Sequence, residues 1–187
     1  MNKGYIAGLE DSSVEIFENQ HQVLKAIYRS RCIPFERLPE HIIGTLVQYM
    51  LDDNVAMRSL RIDLGLTSIN EQLKQYARCN FKCLDGIADM AANGEIHKEI
   101  HNCPNLLTCK GAFKICSPIK GPFGTLTKKE TRLFFQVCKG MQDKEIALTS
   151  RTTISTVETQ LKSIRYKIAI NNRVEMILYA VENNISL

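Results

Sequence analysis

Between Leu126 and Asn184 the chain is punctuated in a way that few folds can absorb. Thr127 stands before an apolar-periodic run with Glu130 three residues on, the spacing of a capping box. Leu133, Phe134 and Val137 then mark one face of a helix that runs from Lys128 to Lys139 and ends at Gly140. Asp143 can cap a second, short helix whose buried pair is Ile146 and Ala147, and the small Ala147 lets two helices cross closely. Ser150 to Thr153 read as a turn. Ile154 to Ile168 follow as a longer helix, with Val157, Leu161, Ile164 and Ile168 at spacings of four, three and four. Asn171 and Asn172 break the pattern, and Arg173 to Asn183 supply a last helix carrying Val174, Ile177, Leu178 and Val181. Two helices joined by a four-residue turn and flanked by a supporting helix on each side predict a four-helix domain over residues 125–187. In front of it, residues 117–124 (SPIKGPFG) read as a linker by composition.

Upstream, residues 1–116 predict a helical N-terminal domain, so the fold class expected for the whole chain is all-α. Val14 to Arg31 places Val14, Phe17, Val23 or Leu24, Ile27 and Tyr28 at mixed three- and four-residue spacings and is read as one amphipathic helix ended by Cys32 and Pro34. Pro39 suits the first turn of a helix from Glu40 to Asp52 with Ile42, Ile43, Leu46, Val47, Met50 and Leu51 as its apolar face. A further helix reaches about Asp63 and stops at Gly65. Thr67 or Ser68 caps the next, which carries Leu73 and Tyr76, with Glu71 in capping-box spacing from Ser68.

From Cys79 to Cys116 the texture changes. The segment holds Cys79, Cys83, Cys103, Cys109 and Cys116, and its second half is short, rich in Pro, Asn, Gly and Lys, and without apolar periodicity. Such a loop buries little by itself, and four thiolates around one ion would replace the missing core. The expected ligands are Cys79, Cys103, Cys109 and Cys116, with Cys83 as substitute for Cys79. Zinc is the expected ion and an iron-sulfur cluster the alternative, which would make the domain a redox sensor. The spacings are looser than paired CxxC knuckles, and buried thiols packing as small hydrophobes are the competing reading. His97 and His101 lie four apart, but no Glu follows His97 as a metalloprotease pattern requires, and a solvated helix face is the plainer account. No catalytic constellation emerges, and the chain is read as a non-enzyme.

Composition limits the partners. Seven cysteines is an odd number, no apolar run approaches the roughly 20 residues of a membrane span, and the N-terminal MNKGYIAGLEDSSVE lacks a secretion core; a cytoplasmic protein with no membrane partner is expected. The net charge of +4 is not spread evenly. Residues 1–124 carry 14 Lys/Arg against 14 Asp/Glu, and residues 125–187 carry 10 against 6, so the whole surplus falls on the C-terminal domain, as a phosphate-binding surface requires. Opposite the apolar stripe of its longest helix stand Ser155, Glu158, Thr159, Lys162, Arg165 and Tyr166, a polar and partly basic face of the kind a major groove accepts.

The C-terminal domain resembles the DNA-binding domain of the LuxR and GerE family of bacterial transcription regulators. The residues that carry the likeness are Leu126-Thr127, Glu130, Gly140, Lys144-Glu145-Ile146-Ala147, Thr156-Val157, Lys167-Ile168, Asn172-Arg173 and Glu175. The cysteine-rich half is similar to regulators of Bacteroidetes phages and mobile elements. The resemblance implies sequence-specific binding to double-stranded DNA, with base contacts from Glu158, Thr159 and Lys162 and phosphate contacts from Ser155, Thr156, Arg165 and Lys167, Lys144 and Arg173 adding charge nearby. It also implies a homodimer formed through the last helix, and contact with RNA polymerase. The chain departs from the family at Ser150 and Thr152, where leucine and isoleucine are usual, at Thr153 in place of a serine cap, and at Glu158 where a basic residue is common. An adaptor that docks protein through the same helix-turn-helix is the alternative.

Overall fold

The computed structural model describes residues 6–187; residues 1–5, part of the N-terminal stretch read for secretion, lie outside them. The chain divides into two units, one running to Glu99 and taking in Phe113–Ser117, the other made of Ile100–Ala112 and Pro118–Leu187.

The first unit opens not with a helix but with a three-stranded antiparallel sheet of β1 (Val14–Glu18), β2 (Leu24–Tyr28) and β3 (Arg31–Pro34). Val14, Ile16, Leu24 and Ala26 lie in the core, with Ile16 paired to Ala26 and Val14 to Tyr28. Apolar residues in so short a stretch satisfy a two-residue period as well as a helical one, and the turns decide between them. The Asn19 side chain accepts from the backbone N–H groups of His21 and Val23, and Gln22 is left-handed. Between β2 and β3, Arg29 and Ser30 both take positive φ (46° and 62°), the requirement of a tight two-residue hairpin turn. Neither residue is the Asn or Gly that usually announces such a turn. The all-α expectation is corrected accordingly.

The remaining elements of this unit follow the sequence closely. Helix α1 (Glu40–Asp52) starts after Pro39 and buries Ile42, Leu46 and Met50; α2 (Asn54–Arg58) runs into a short π-helical stretch, Ser59–Asp63, and Gly65 turns the chain at φ +68°. Helix α3 (Ile69–Asn80) is capped by Ser68, whose hydroxyl accepts from Glu71 N–H while the Glu71 carboxylate accepts from Ser68 N–H. Ile16, Phe35, Leu46, Met50, Leu60, Tyr76 and Phe81 share one core. Residues beyond Phe81 are irregular, tied to the sheet by a bridge from Met90 to Val14 and to each other by one from Met90 to Ile96; His97 falls in this stretch and not on the helix face read for it.

The second unit holds four helices: α4 (Lys128–Cys138), α5 (Asp143–Thr149), α6 (Ile154–Ile168) and α7 (Arg173–Glu182). Two small ladders frame them. β4 (Ile100–His101) pairs in parallel with β7 (Ile185–Ser186), and β5 (Lys120–Gly121) forms a hairpin with β6 (Gly124–Thr125). The stretch read as a linker is thus largely structured: Ile119 is buried in the helical core, Phe123 N–H donates to the Lys167 carbonyl, and a Cβ on Gly121 would stand 2.3 Å from that same carbonyl oxygen. Only a glycine allows the approach. Among the described residues no helix is long and apolar enough to cross a membrane.

Candidate nucleic-acid interface

The surface of interest is built by α5, the turn after it, and α6. Helix α5 begins one residue earlier than expected: Gln142 occupies the cap position, its backbone N–H donating to the Glu145 carboxylate at 2.7 Å, while Asp143 pairs with Arg173 instead. Ile146 and Ala147 are its buried residues. The turn lacks the apolar anchors usual at Ser150 and Thr152 and is closed by backbone instead. Arg151 is left-handed, its N–H donates to the Leu148 carbonyl, and Thr152 N–H donates to the Ala147 carbonyl, the paired bonds of a Schellman motif.

Helix α6 starts at Thr153, whose hydroxyl accepts from Thr156 N–H at 3.2 Å and lies 2.8 Å from the Thr156 hydroxyl. The threonine therefore keeps the capping role of the serine it replaces. Val157, Leu161, Ile164 and Ile168 are buried on one stripe. The opposite stripe is open: Ser155, Glu158, Thr159, Lys162 and Tyr166 are exposed, and Thr156 is exposed at the first turn. The Thr159 hydroxyl donates to the Ser155 carbonyl within the helix, and Glu158, Lys162 and Arg165 line one hollow together with Arg173 and Asp143. Six of the seven expected DNA-facing residues therefore lie along or beside one face, with Arg165 half-buried at its edge.

Lys167 is placed differently. Its ammonium lies 2.7 Å from Glu130 Oε2, and Ser163 donates to the other Glu130 oxygen at 2.7 Å. Burial alone would raise the Glu130 carboxyl, but hydrogen bonds from Lys167, Ser163 and Thr127 outweigh it and hold the group down to about 2. Glu130 also accepts from Thr127 N–H in the capping box of α4. One carboxylate thus joins the start of α4 to the end of α6. Other residues of the motif serve the frame as well. Asn172 caps α7 through Glu175 N–H, the Glu175 carboxylate accepts from Asn171 N–H, and Arg173 donates to the Met141 carbonyl.

To Tyr166 and the rest of that face the structure adds groups that the sequence pattern did not single out. Lys129 and Arg132 of α4 and Arg151 of the turn line a hollow with Thr156 and Gln160, which brings three cations to the N-terminal end of α6, where the helix dipole already favours anions. Phe123 stacks on Tyr166 with ring centroids 5.4 Å apart, and both rings are more than half exposed. Helical spacing could not reveal either group, because each is assembled from separate elements.

The cysteine ligands expected for zinc are divided between the units. Cys79, Cys83 and Cys116 belong to the first and Cys103 and Cys109 to the second, so neither unit alone contains the four-cysteine set. All five are half-buried.

Comparison with known proteins agrees with the geometry. Residues 124–180 match the family described as bacterial regulatory proteins, luxR family. Response regulator proteins VraR of Staphylococcus aureus, Staphylococcus saprophyticus and Staphylococcus epidermidis are each 33% identical to this chain over 60 residues, which is 32% of the chain and 29% of theirs. The chain therefore spans less than a third of the length of these relatives. No solved structure matches. Residues 124–180 form a GerE/LuxR-family helix-turn-helix domain.

Proposed function

We propose that this chain is a sequence-specific DNA-binding transcription regulator that lays α6 in the major groove. The observation that carries the reading is the division of α6 into a buried stripe and an open stripe bearing Ser155, Glu158, Thr159 and Lys162. Lys162 and Thr159 reach base edges, and Glu158 accepts from a cytosine amino group. Ser155, Thr156 and Arg165 meet phosphates, joined by Lys129, Arg132 and Arg151 at the first turn. Lys167, held by Glu130, serves the helix frame in preference to a phosphate. Selecting bound sequences from a random DNA pool, then measuring affinity for the best one, tests this. Affinity is expected to fall steeply with salt as counterions are released; a selection that returns no enriched sequence, or an affinity indifferent to salt, refutes it.

The proposal includes a homodimer on DNA through α7, whose Val174, Leu178 and Val181 are more than half exposed, an apolar row that one domain leaves uncovered. For the cysteine segment the proposal remains a structural zinc, and its test is metal content: Cys109→Ser should lose zinc and stability together. Retained stoichiometric metal removes Cys109 from the ligand set, and iron with visible absorbance in anaerobically purified protein replaces zinc with a cluster.

A further inference from the structure

The first unit gathers four carboxylates, three of them buried. Glu15 on β1 is fully buried and Asp89 and Glu99 nearly so, while Asp85 is half-buried. One carboxylate oxygen from each of Glu15, Asp85 and Glu99 lies within 4.8 Å of the other two. Each acid already uses one oxygen on the backbone. Glu15 Oε1 accepts from Asp85 N–H at 2.7 Å, Glu99 Oε2 from Cys83 N–H at 3.0 Å, Asp89 Oδ2 from Ile16 N–H at 2.6 Å, and Asp85 Oδ1 from Ile87 N–H at 2.7 Å. The second oxygens of the three most buried acids, Glu15 Oε2, Glu99 Oε1 and Asp89 Oδ1, have no hydrogen-bond partner. Among the described residues no Lys or Arg is ion-paired with any of the four.

This arrangement is costly as it stands. A buried carboxylate oxygen without a donor costs free energy, and like charges a few ångströms apart add to the penalty. Burial first, then the neighbouring charges of Asp85 and Glu99, push Glu15 up to about 8. Hydrophobic packing alone would not gather four acids here, since any of them could be an amide or an apolar residue at lower cost. A cation among Glu15, Asp85 and Glu99 would give the buried acids a partner and neutralise the repulsion.

We propose that Glu15, Asp85 and Glu99 form a binding site for one hard divalent cation in the first unit, with Asp89 beside them as a further acceptor. Donors that are all oxygen select a hard ion over zinc. Oxygens up to 4.8 Å apart fit around an ion that holds its ligands at about 2.3–2.6 Å, with water completing the shell, which favours an ion of calcium size over magnesium. The site adjoins Cys83, whose backbone N–H donates to Glu99, and belongs to the unit that does not contain the DNA-facing helix.

The test is calorimetric titration of Ca2+, Mn2+ and Mg2+ into the full chain after exhaustive chelation, compared with Glu15→Gln and Asp85→Asn. Asp85 lies in an irregular, half-exposed segment, so its amide variant guards against a folding defect at Glu15. Expected are about one site per wild-type chain and affinity weakened at least about tenfold by either substitution. No binding of any of the three ions to the wild-type chain overturns the proposal. So does binding that persists undiminished in a folded Asp85→Asn chain, which would place the ion elsewhere. DNA binding measured on the same samples keeps this outcome distinct from the fate of the regulator proposal.

Discussion

Ala169 closes α6 in the left-handed region at φ +57°, with Ile170 N–H donating to the Arg165 carbonyl beyond it. A Cβ in that conformation costs roughly 1–2 kcal/mol, whereas glycine adopts it freely. Ala169→Gly is therefore expected to stabilise the second unit by up to about 1 kcal/mol, after the greater chain entropy of glycine is subtracted; urea unfolding followed by far-UV dichroism measures it, and a loss of stability would contradict the geometry. Glu130 supports a second expectation. Its carboxyl is held at about 2 against 4.5 when free, so the stability it contributes is present above about pH 4.5 and is lost as the pH falls toward 2. Chemical unfolding midpoints taken across that window should drop in the wild-type chain, and Glu130→Gln should be weaker at neutral pH and flatter below it. Glu130 was visible in the sequence as a cap from its spacing to Thr127. That it also takes Lys167 and Ser163 depends on a crossing of α4 and α6 that no local pattern encodes.

At the level of elements, helices were readable wherever an apolar stripe ran for three turns between strong stop signals, as in α1, α3, α4 and α6. Strands were not, because β1 and β2 are five residues each and their apolar positions fit both periods. The deciding signal was the pair of positive φ angles at Arg29 and Ser30, and their side chains disguise it. Replacing them with Asn-Gly should stabilise the first unit by about 1 kcal/mol, read as a shift in its unfolding midpoint; no gain would mean the turn is not of the two-residue type. The hairpin of β5 and β6 escaped for another reason: a glycine- and proline-rich composition describes a linker and a tight packed turn equally well. Gly121→Ala, which would drive a Cβ into the backbone at Lys167, should cost about 1–3 kcal/mol. On the recognition helix itself, Lys162→Ala should weaken binding to the selected operator by about 1–3 kcal/mol if Lys162 reads a base, measured by fluorescence anisotropy at fixed salt. Unchanged affinity would remove it from the interface.

For the molecule as a whole, the proposed dimer makes the sharpest claim. Leu178→Glu places a charge on the exposed apolar row of α7 and should yield a monomer by light scattering on DNA, with operator affinity reduced at least about tenfold as the second half-site is lost. A wild-type chain that is monomeric on its operator would end that proposal directly. The sequence by itself determined the helix-turn-helix domain, because its caps, breaks and buried stripes act over three or four residues and each agrees with the next. It also located the surplus positive charge, which is additive along the chain. Only the tertiary structure decided that the first unit begins with a sheet, that Lys167 belongs to Glu130, that Lys129, Arg132 and Arg151 gather at the start of α6, and that Glu15, Asp85, Asp89 and Glu99 meet in one buried cluster. Those outcomes join residues as many as 84 positions apart, and contacts of that range are selected by how whole elements pack, which no periodicity within a single element records.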